Sequence, residues 1–491
     1  MSEKHDAGPN SAYAAKDVNE AFRGGARAVA FLSQINKASI VMLADTEILS
    51  DADASVIAQG ILALDRTSSE QTSGDYLDYE KRLVDLIGPQ ASLVHAGRSR
   101  QDIASTLSRM NLREDLLDAY EALAQARLCL VELAPRHRDT VIPAYTHGVQ
   151  AQPTTFAHYL LAFSSALGRQ LERLAQAYGR LNVSPLGAAA LSTSSFPIDR
   201  VLLAHLLGFA GVVENAYDAN HLAPVDSCLE FAGALAICAV QIGQFAQDLH
   251  AQYASPTPWL TLQPGELMGI SSLMPQKRNP AALEQLRAQS SLLLSDMQGP
   301  FLLAHNVRTG MFDYRSYDPL PAKRPVALFA LLTKVVKGLV VDEQQARDEV
   351  DADYSTVTEI ADVLMQKANV PFRIGHHFAS VLTDHGRAQK KRLGQIGYDE
   401  AARLYQQQNG VPFPLDEHAY QQCTDPQRMI LNRRGLGGPQ RTEVDRMLDV
   451  ESRSALAALD WNRAARQQLD EAHERVIGLT QELAARRGTS S

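Results

Sequence analysis

Five long stretches of helical periodicity with few interior breakers dominate the middle of this 491-residue chain: Ile103–Ala134, Thr154–Leu181, Ser227–Ala254, Ala281–Ala304 and Ala322–Val341. Helices of that length cannot bury their apolar faces inside a small domain, so they predict a long helical bundle. In the third stretch Leu229, Ala232, Ala236, Ala239, Ile242 and Phe245 recur at intervals of three and four, which marks one apolar stripe. Its Phe231–Gly243 portion, FAGALAICAVQIG, carries small residues on several faces. A helix pressed by neighbours on more than one side has that composition, and we expect subunits to associate through it.

The flanks are built from shorter pieces. Roughly the first twenty residues read as a loosely attached arm. Asp51–Leu64 opens with capping carboxylates and continues at helical spacing, and Glu80–Ile87 is amphipathic until Gly88-Pro89. Beyond Val341 the spacing shortens to helices at Thr356–Ala368, Arg373–Val381 and Asp399–Gln408, followed by a polar helix near Trp461–Ala485. The chain is therefore expected to be all-α in three parts. These are an N-terminal helical domain over 1–108, a central long-helix bundle over 109–366 and a small C-terminal helical domain over 367–491.

Net charge excludes some functions. At −9, with no basic tail or stripe, the chain is not expected to bind nucleic acid. Cys129, Cys228, Cys238 and Cys423 have neither metal-like spacing nor disulfide density; the first three lie in apolar helical stretches and read as buried thiols of a reducing compartment. The N-terminus lacks the apolar core of a signal peptide, and no uninterrupted apolar run reaches the ~18 residues of a membrane span. The expectation is a cytoplasmic protein with no membrane partner.

Three stretches are unusually polar for their surroundings: His95–Asp102 (HAGRSRQD), Tyr145–Pro153 (YTHGVQAQP) and Gly269–Pro280 (GISSLMPQKRNP). Each precedes a long helix, and helix N-termini favour anions through unsatisfied N–H groups and the macrodipole. With Arg98, Arg100, Lys277 and Arg278, they suggest a locally basic pocket for a di- or tricarboxylate inside an acidic protein. Each part also has a plain structural reading: arginines in salt bridges, a turn histidine, serines as helix or turn caps.

GISSLMPQKRNP closely resembles the GSS-x-MPxKxNP signature of the fumarase/aspartase superfamily. Together with HAGRSRQD, YTHGVQAQP, Asn182–Asp199 (NVSPLGAAALSTSSFPID), VPFR at Val370–Arg373 and GLGGP at Gly435–Pro439, it looks like the argininosuccinate lyase branch. The resemblance runs from about Asn36 to at least Pro439. It implies a three-domain fumarase/aspartase-like fold and a homotetramer around a central helical bundle, with each active site drawing on three subunits. It also implies elimination from a succinyl group to release fumarate, with no metal or organic cofactor. Carried over by position, Ser271 is the base that removes the Cβ proton, and Lys277 and Asn279 hold the doubly charged intermediate. His147, paired with Glu284, contacts the substrate. Ser99, Arg100 and Thr146 complete the fumarate side, and Ser272 is a further substrate-binding residue.

Departures from the branch cluster where the family holds the amine. Ala96 and Gln101 replace Thr and Asn of HTGRSRND, and His147-Gly148-Val149-Gln150 stands for THLQ. The stretch NVRTGMFDYRSYDPLPAK only loosely follows its family counterpart; Tyr314 takes the place of a tyrosine, and Arg315 is a candidate carboxylate ligand. Gly74-Asp75-Tyr76-Leu77 replaces an EDIH-like pattern without its histidine. The chemistry thus reads as retained while the leaving amine is altered. The expected activity is a C–N lyase acting on an N-substituted L-aspartate, similar to the branch that cleaves ethylenediaminedisuccinate. The alternatives are true argininosuccinate cleavage, a non-catalytic paralogue on the same scaffold, and a fumarase or adenylosuccinate-type lyase.

Overall fold

The computed structural model describes residues 25–67, 76–311 and 323–486. Helices α1 (Gly25–Asp45), α2 (Asp51–Thr67) and α3 (Tyr76–Ile87) form an N-terminal layer with a 3-10 turn at Pro89–His95. Ser50 caps α2: its hydroxyl oxygen accepts the Asp53 amide at 3.2 Å. Leu32, Ile35, Ile57, Ile61 and Leu83 fill the core of this layer.

The bundle consists of α4 (Arg100–Leu133), α5 (Phe156–Leu181), α8 (Ala223–Tyr253), α9 (Ala281–Asp296) and α11 (Lys323–Lys337), with short α6 (Arg200–Leu206), α7 (Ala216–His221) and α10 (Gln298–Ala304) beside it. Cross-helix contacts fix the directions. Arg180 pairs with Glu230, Gln170 donates to Gln241 at 2.9 Å and Tyr159 donates to Asp248 at 3.0 Å, so α5 and α8 run antiparallel. Arg109 donates to the Leu181 carbonyl at 2.8 Å and Arg127 to Ser164 at 3.4 Å, which makes α4 and α5 antiparallel as well. Helix α4 is therefore parallel to α8.

Among the described residues three two-stranded ribbons interrupt the helices: β1 (Val141–Thr146) with β2 (Val149–Thr155), β3 (Leu260–Leu262) with β6 (Leu339–Val341), and β4 (Gly269–Ile270) with β5 (Arg278–Asn279). They shorten two of the expected helices. The helix expected from Thr154 starts at Phe156, because 149–155 is strand and the Thr155 hydroxyl oxygen caps the helix by accepting the His158 amide. The helix expected to reach Val341 stops at Lys337, where a Cβ on Gly338 would collide with Leu267. The stretch expected as one helix over 281–304 breaks at Met297 into α9 and α10.

Helices α12 (Glu343–Ala352), α13 (Val357–Ala368), α14 (Phe372–Gln389), α15 (Tyr398–Asn409), α16 (Glu417–Thr424) and α17 (Pro426–Leu431) follow. A separate core of Ile360, Leu364, Phe378, Leu382, Tyr405, Phe413 and Tyr420 holds most of them together. The last helix, α18 (Arg441–Ala485), does not stay with them. Its 45 residues extend about 65 Å, placing Val444, Ala458 and Ala465 in the bundle core and Val476 and Leu483 in the N-terminal core. The sequence grouped this segment with 367–440, because its buried face is largely a thin stripe of alanines (Ala455, Ala458, Ala465, Ala472) on a polar helix.

Helix α8 is long enough and, on average, apolar enough to cross a membrane, although polar residues interrupt its apolar runs, none of which reaches the length of a span. Over its most apolar window the mean hydropathy is 1.6. Its apolar stripe packs instead against α5 and α9. The four cysteines are free, with Cys129, Cys238 and Cys423 buried and Cys228 half-buried.

Candidate active site

At the N-terminus of α4 the HAGRSRQD stretch is held tightly. Gly97 has φ +70°, and a Cβ there would strike Ile198, so only glycine fits. Ser99 caps the helix reciprocally with Asp102: its hydroxyl oxygen accepts the Gln101 amide at 3.2 Å, and its own amide donates to Asp102 Oδ1 at 2.8 Å. The other Asp102 oxygen accepts the amides of Gly187 (2.9 Å) and Ala189 (3.1 Å), which ties the Asn182–Asp199 stretch to the same helix end. Burial pushes the Asp102 carboxyl up to about 6, against the backbone amides that favour its charged form.

Around this cap the three other polar side chains diverge. Arg100 is the first helical residue and is exposed. Gln101 Nε2 donates to the Asn220 carbonyl at 3.2 Å, and the Asn220 amide in turn donates to Ala189 (2.8 Å) and Ala190 (3.0 Å). Arg98, expected among the pocket cations, is turned into the N-terminal core. Tyr314 and Arg315 lie outside the described residues. Just before them, Thr309 shares a hydrogen bond of 2.8 Å with Tyr217 on α7.

YTHGVQAQP forms the β1–β2 hairpin. Thr146 faces Val149, so His147 and Gly148 are the two turn residues, with φ of +55° and +77°. Positive φ at both positions is the type I′ arrangement that matches the twist of a hairpin. The turn presents Thr146 and His147 to solvent. Two anchors hold it. Tyr145 donates to the Glu349 carboxylate and, at 3.3 Å, to Gln252; Gln150 Nε2 donates to the Val350 carbonyl (3.1 Å) and to Ser355 Oγ (2.9 Å). Burial and the Glu349 charge raise the Tyr145 phenol well above its ordinary range.

GISSLMPQKRNP is a second small ribbon rather than an open loop. Gly269 pairs with Asn279 and Ile270 with Arg278, closing a tip of residues 271–277. Inside the tip the Ser271 hydroxyl oxygen accepts the Met274 amide at 3.0 Å. The Arg278 guanidinium donates to the carbonyls of Pro275 (2.7 Å) and Lys277 (3.2 Å), so this arginine braces the tip instead of facing a ligand. Ser272 and Lys277 are exposed, while Ser271 and Asn279 are half-buried. Ile270 and Leu273 are 88% and 84% exposed, high values for apolar side chains. Glu284 lies exposed in the first turn of α9, where a carboxylate suits the helix dipole. Among the described residues, His147 and Glu284 form no hydrogen bond or ion pair with each other.

One chain divides these residues between two ends of the bundle. Gln101 touches Asn220, immediately before α8, so Ser99, Arg100 and Gln101 lie at the N-terminal end of that helix. Tyr145 touches Gln252, and the Tyr253 hydroxyl donates to the Arg278 carbonyl at 3.0 Å, so Thr146, His147 and the Ser271–Asn279 ribbon lie at the other end. The 31 residues of α8 separate the groups by about 45 Å. A dicarboxylate spans only a few ångströms, so no single copy brings both sets to one substrate.

Two residues that organise the ends were not singled out from the sequence. Asp102 was legible in principle, since S-x-x-D over 99–102 is the spacing of a capping box. Glu349, which anchors Tyr145, had no local signal because it lies 204 residues away.

A family model described as Lyase matches residues 35–292, and one described as Argininosuccinate lyase C-terminal matches 354–430. "Argininosuccinate lyase 1" of Shouchella clausii is 32% identical over 85% of this chain and 86% of its own length. "Argininosuccinate lyase 2" of Agrobacterium fabrum is 33% identical over 83% of this chain and 82% of its own length. Among solved structures, an EDDS lyase in complex with formate superposes with a TM-score of 0.85 at 27% identity, covering 95% of this chain and 94% of that one. A fumarate lyase from Mesorhizobium sp. BNC1 shares the fold, with a TM-score of 0.69 at 18% identity, over 89% of this chain and 97% of that one.

Proposed function

The chain belongs to the argininosuccinate lyase branch of the fumarase/aspartase superfamily and is a fumarate-releasing carbon–nitrogen lyase; from that membership we propose that it eliminates an amine from an N-substituted L-aspartate, with Ser271 as the base. The observation that carries the assignment of Ser271 is its hydroxyl oxygen accepting the Met274 amide at 3.0 Å. An N–H aimed at that oxygen favours its ionised form, which a serine base needs. The ionised oxygen takes the Cβ proton of the succinyl group. The electron pair moves into the adjacent carboxylate to give a dianionic intermediate, which Lys277 and Asn279 stabilise. The C–N bond then breaks as those electrons return, leaving fumarate, and the departing nitrogen takes a proton. His147 contacts the substrate, oriented by Glu284 of another copy, since the two do not meet within one chain.

The separation of the two residue sets along α8 supports a homotetrameric reading. The Ser99–Arg100–Gln101 end of one copy meets the His147 and Ser271 ends of others, and three copies complete each site. Exposed apolar side chains along the bundle, Ile237 and Val240 on α8 and Leu292 on α9, are the surface such copies would cover.

The leaving amine is the finer part of the proposal. Gln101, Gly148 and the stretch holding Tyr314 and Arg315 depart from the family pattern on the amine side, which favours an amine other than arginine. The named relatives at 32% and 33% identity favour argininosuccinate itself, the second reading. Incubation with fumarate and a panel of amines, including arginine and diamines, tests both. Preferential addition to a non-arginine amine is expected; efficient turnover of argininosuccinate alone rejects the altered amine. Turnover of no succinyl amine by the folded protein favours the non-catalytic paralogue.

A further inference from the structure

Helix α7 is six residues long, and both of its ends are fixed. The Asn215 side chain caps it, accepting the Tyr217 amide at 2.9 Å and the Asp218 amide at 3.1 Å. Near the other end Asn220 is tied to the carbonyls of Ala189 and Ala190. Tyr217 and His221 stand four residues apart on one face, with ring centroids 4.6 Å apart in an edge-to-face arrangement.

Two segments far apart in sequence meet on this short helix. Gln101 reaches it at the Asn220 carbonyl. The other is the turn Arg308–Met311, which the Met311 amide closes by donating to the Arg308 carbonyl at 3.2 Å. Gly310, third in the turn, has φ +85°, as a type II turn requires. Helix α7 meets both central residues of that turn. The Thr309 and Tyr217 hydroxyls share a hydrogen bond of 2.8 Å, and a Cβ on Gly310 would lie 3.5 Å from the His221 ring. Tyr217 is 41% exposed and Thr309 is exposed as well, so water replaces either partner at small cost and the bond adds little to folding. What it fixes is the place of the turn beside Gln101.

Gln101 and the stretch from Asn306 are two of the places where the chain departs from its family on the side proposed to hold the amine, and α7 joins them. Resting on the function proposed above, we propose that Tyr217 is a positioning residue that sets selectivity among leaving amines, by holding the Arg308–Met311 turn against the helix to which Gln101 is fastened. Ser99 and Arg100 are placed by a separate device, the cap shared with Asp102. Loosening the turn therefore acts on the amine and spares the fumarate side.

Tyr217→Phe keeps the ring against His221 and deletes the hydroxyl. Addition to fumarate is measured on the full-length protein with arginine and with a set of diamines, beside a thermal melt. The KM for the amine is expected to rise about twofold to tenfold, and the ratio of kcat/KM between the preferred amine and the others to shrink. The KM for fumarate and the melting temperature should stay unchanged. Thr309→Val should reproduce the effect, the double variant should be no worse than either single one, and Thr309→Ser should behave as wild type. An unchanged amine KM and amine ranking in Tyr217→Phe, or an equal rise in KM for amine and fumarate, overturns the positioning role while the enzyme reading stands. Additive losses in the double variant overturn the claim that the two hydroxyls act as a pair. Wild-type protein that adds none of these amines to fumarate overturns the enzyme reading and this inference together.

Discussion

The Tyr253 hydroxyl donates to the Arg278 carbonyl at 3.0 Å, fastening the GISSLMPQKRNP ribbon to the C-terminal end of α8. Because Gln101 is fastened to Asn220 at the opposite end, α8 acts as a spacer between the two groups of candidate site residues. Tyr253→Phe removes one hydrogen bond, worth about 0.5–1.5 kcal/mol, from the base of the ribbon. We expect kcat/KM for fumarate release to fall about threefold to tenfold, with the melting temperature nearly unchanged. Steady-state kinetics beside a thermal melt checks this.

Ser271→Ala deletes the proposed base and leaves the ribbon pairs Gly269–Asn279 and Ile270–Arg278 in place. The expected outcome is a loss of at least about a hundredfold in kcat with little change in KM. The rise in absorbance as fumarate forms follows it directly. Wild-type kcat in this variant would remove Ser271 from the mechanism.

At the hairpin turn, geometry and chemistry can be separated. Gly148 holds φ +77°, which costs a side-chain-bearing residue about 1–2 kcal/mol, so Gly148→Ala should lower activity by displacing the turn. His147→Asn keeps a residue that tolerates the left-handed region but removes the imidazole. We expect the asparagine variant to lose more activity while melting like wild type. Equal activity in wild type and His147→Asn would reduce His147 to a turn residue.

Asp102 makes a prediction about pH. Its folded value, about 6, lies above the ordinary 3.8, so the native state binds this proton more tightly than the unfolded chain. The associated stability is fully present below about 3.8 and is lost as pH rises through about 6. Melting temperatures of wild type minus those of Asp102→Asn, measured from pH 4 to pH 7, should therefore decline across that window. A difference that is flat or rises with pH contradicts the shift.

The long helices were legible because their apolar residues repeat over many turns, and α4, α5 and α8 lie within a few residues of where periodicity puts them. The ribbons were not. Residues 141–155 and 269–279 hold their form through turn geometry and contacts distant in sequence, such as Tyr145 with Glu349, which local patterning does not register. Arg98 was misread for a related reason. Sequence spacing groups it with Arg100, yet adjacent residues at a helix entrance point different ways, and Asn36 and Ser39 draw it inward. Motif resemblance nominated candidate site residues that the structure distributes over two ends of one chain. Their separation became visible only with α8 laid between them.

Complementation between two inactive variants tests the central claim most directly. Arg100→Ala disables one end of the bundle and Ser271→Ala the other, and each alone should release almost no fumarate. If sites combine ends from different copies, unfolding and refolding the two variants together restores part of the activity, because some mixed sites inherit an intact Arg100 and an intact Ser271. Mixed oligomers that form, as seen by exchange of differently tagged chains, yet release no more fumarate than either parent would contradict the account.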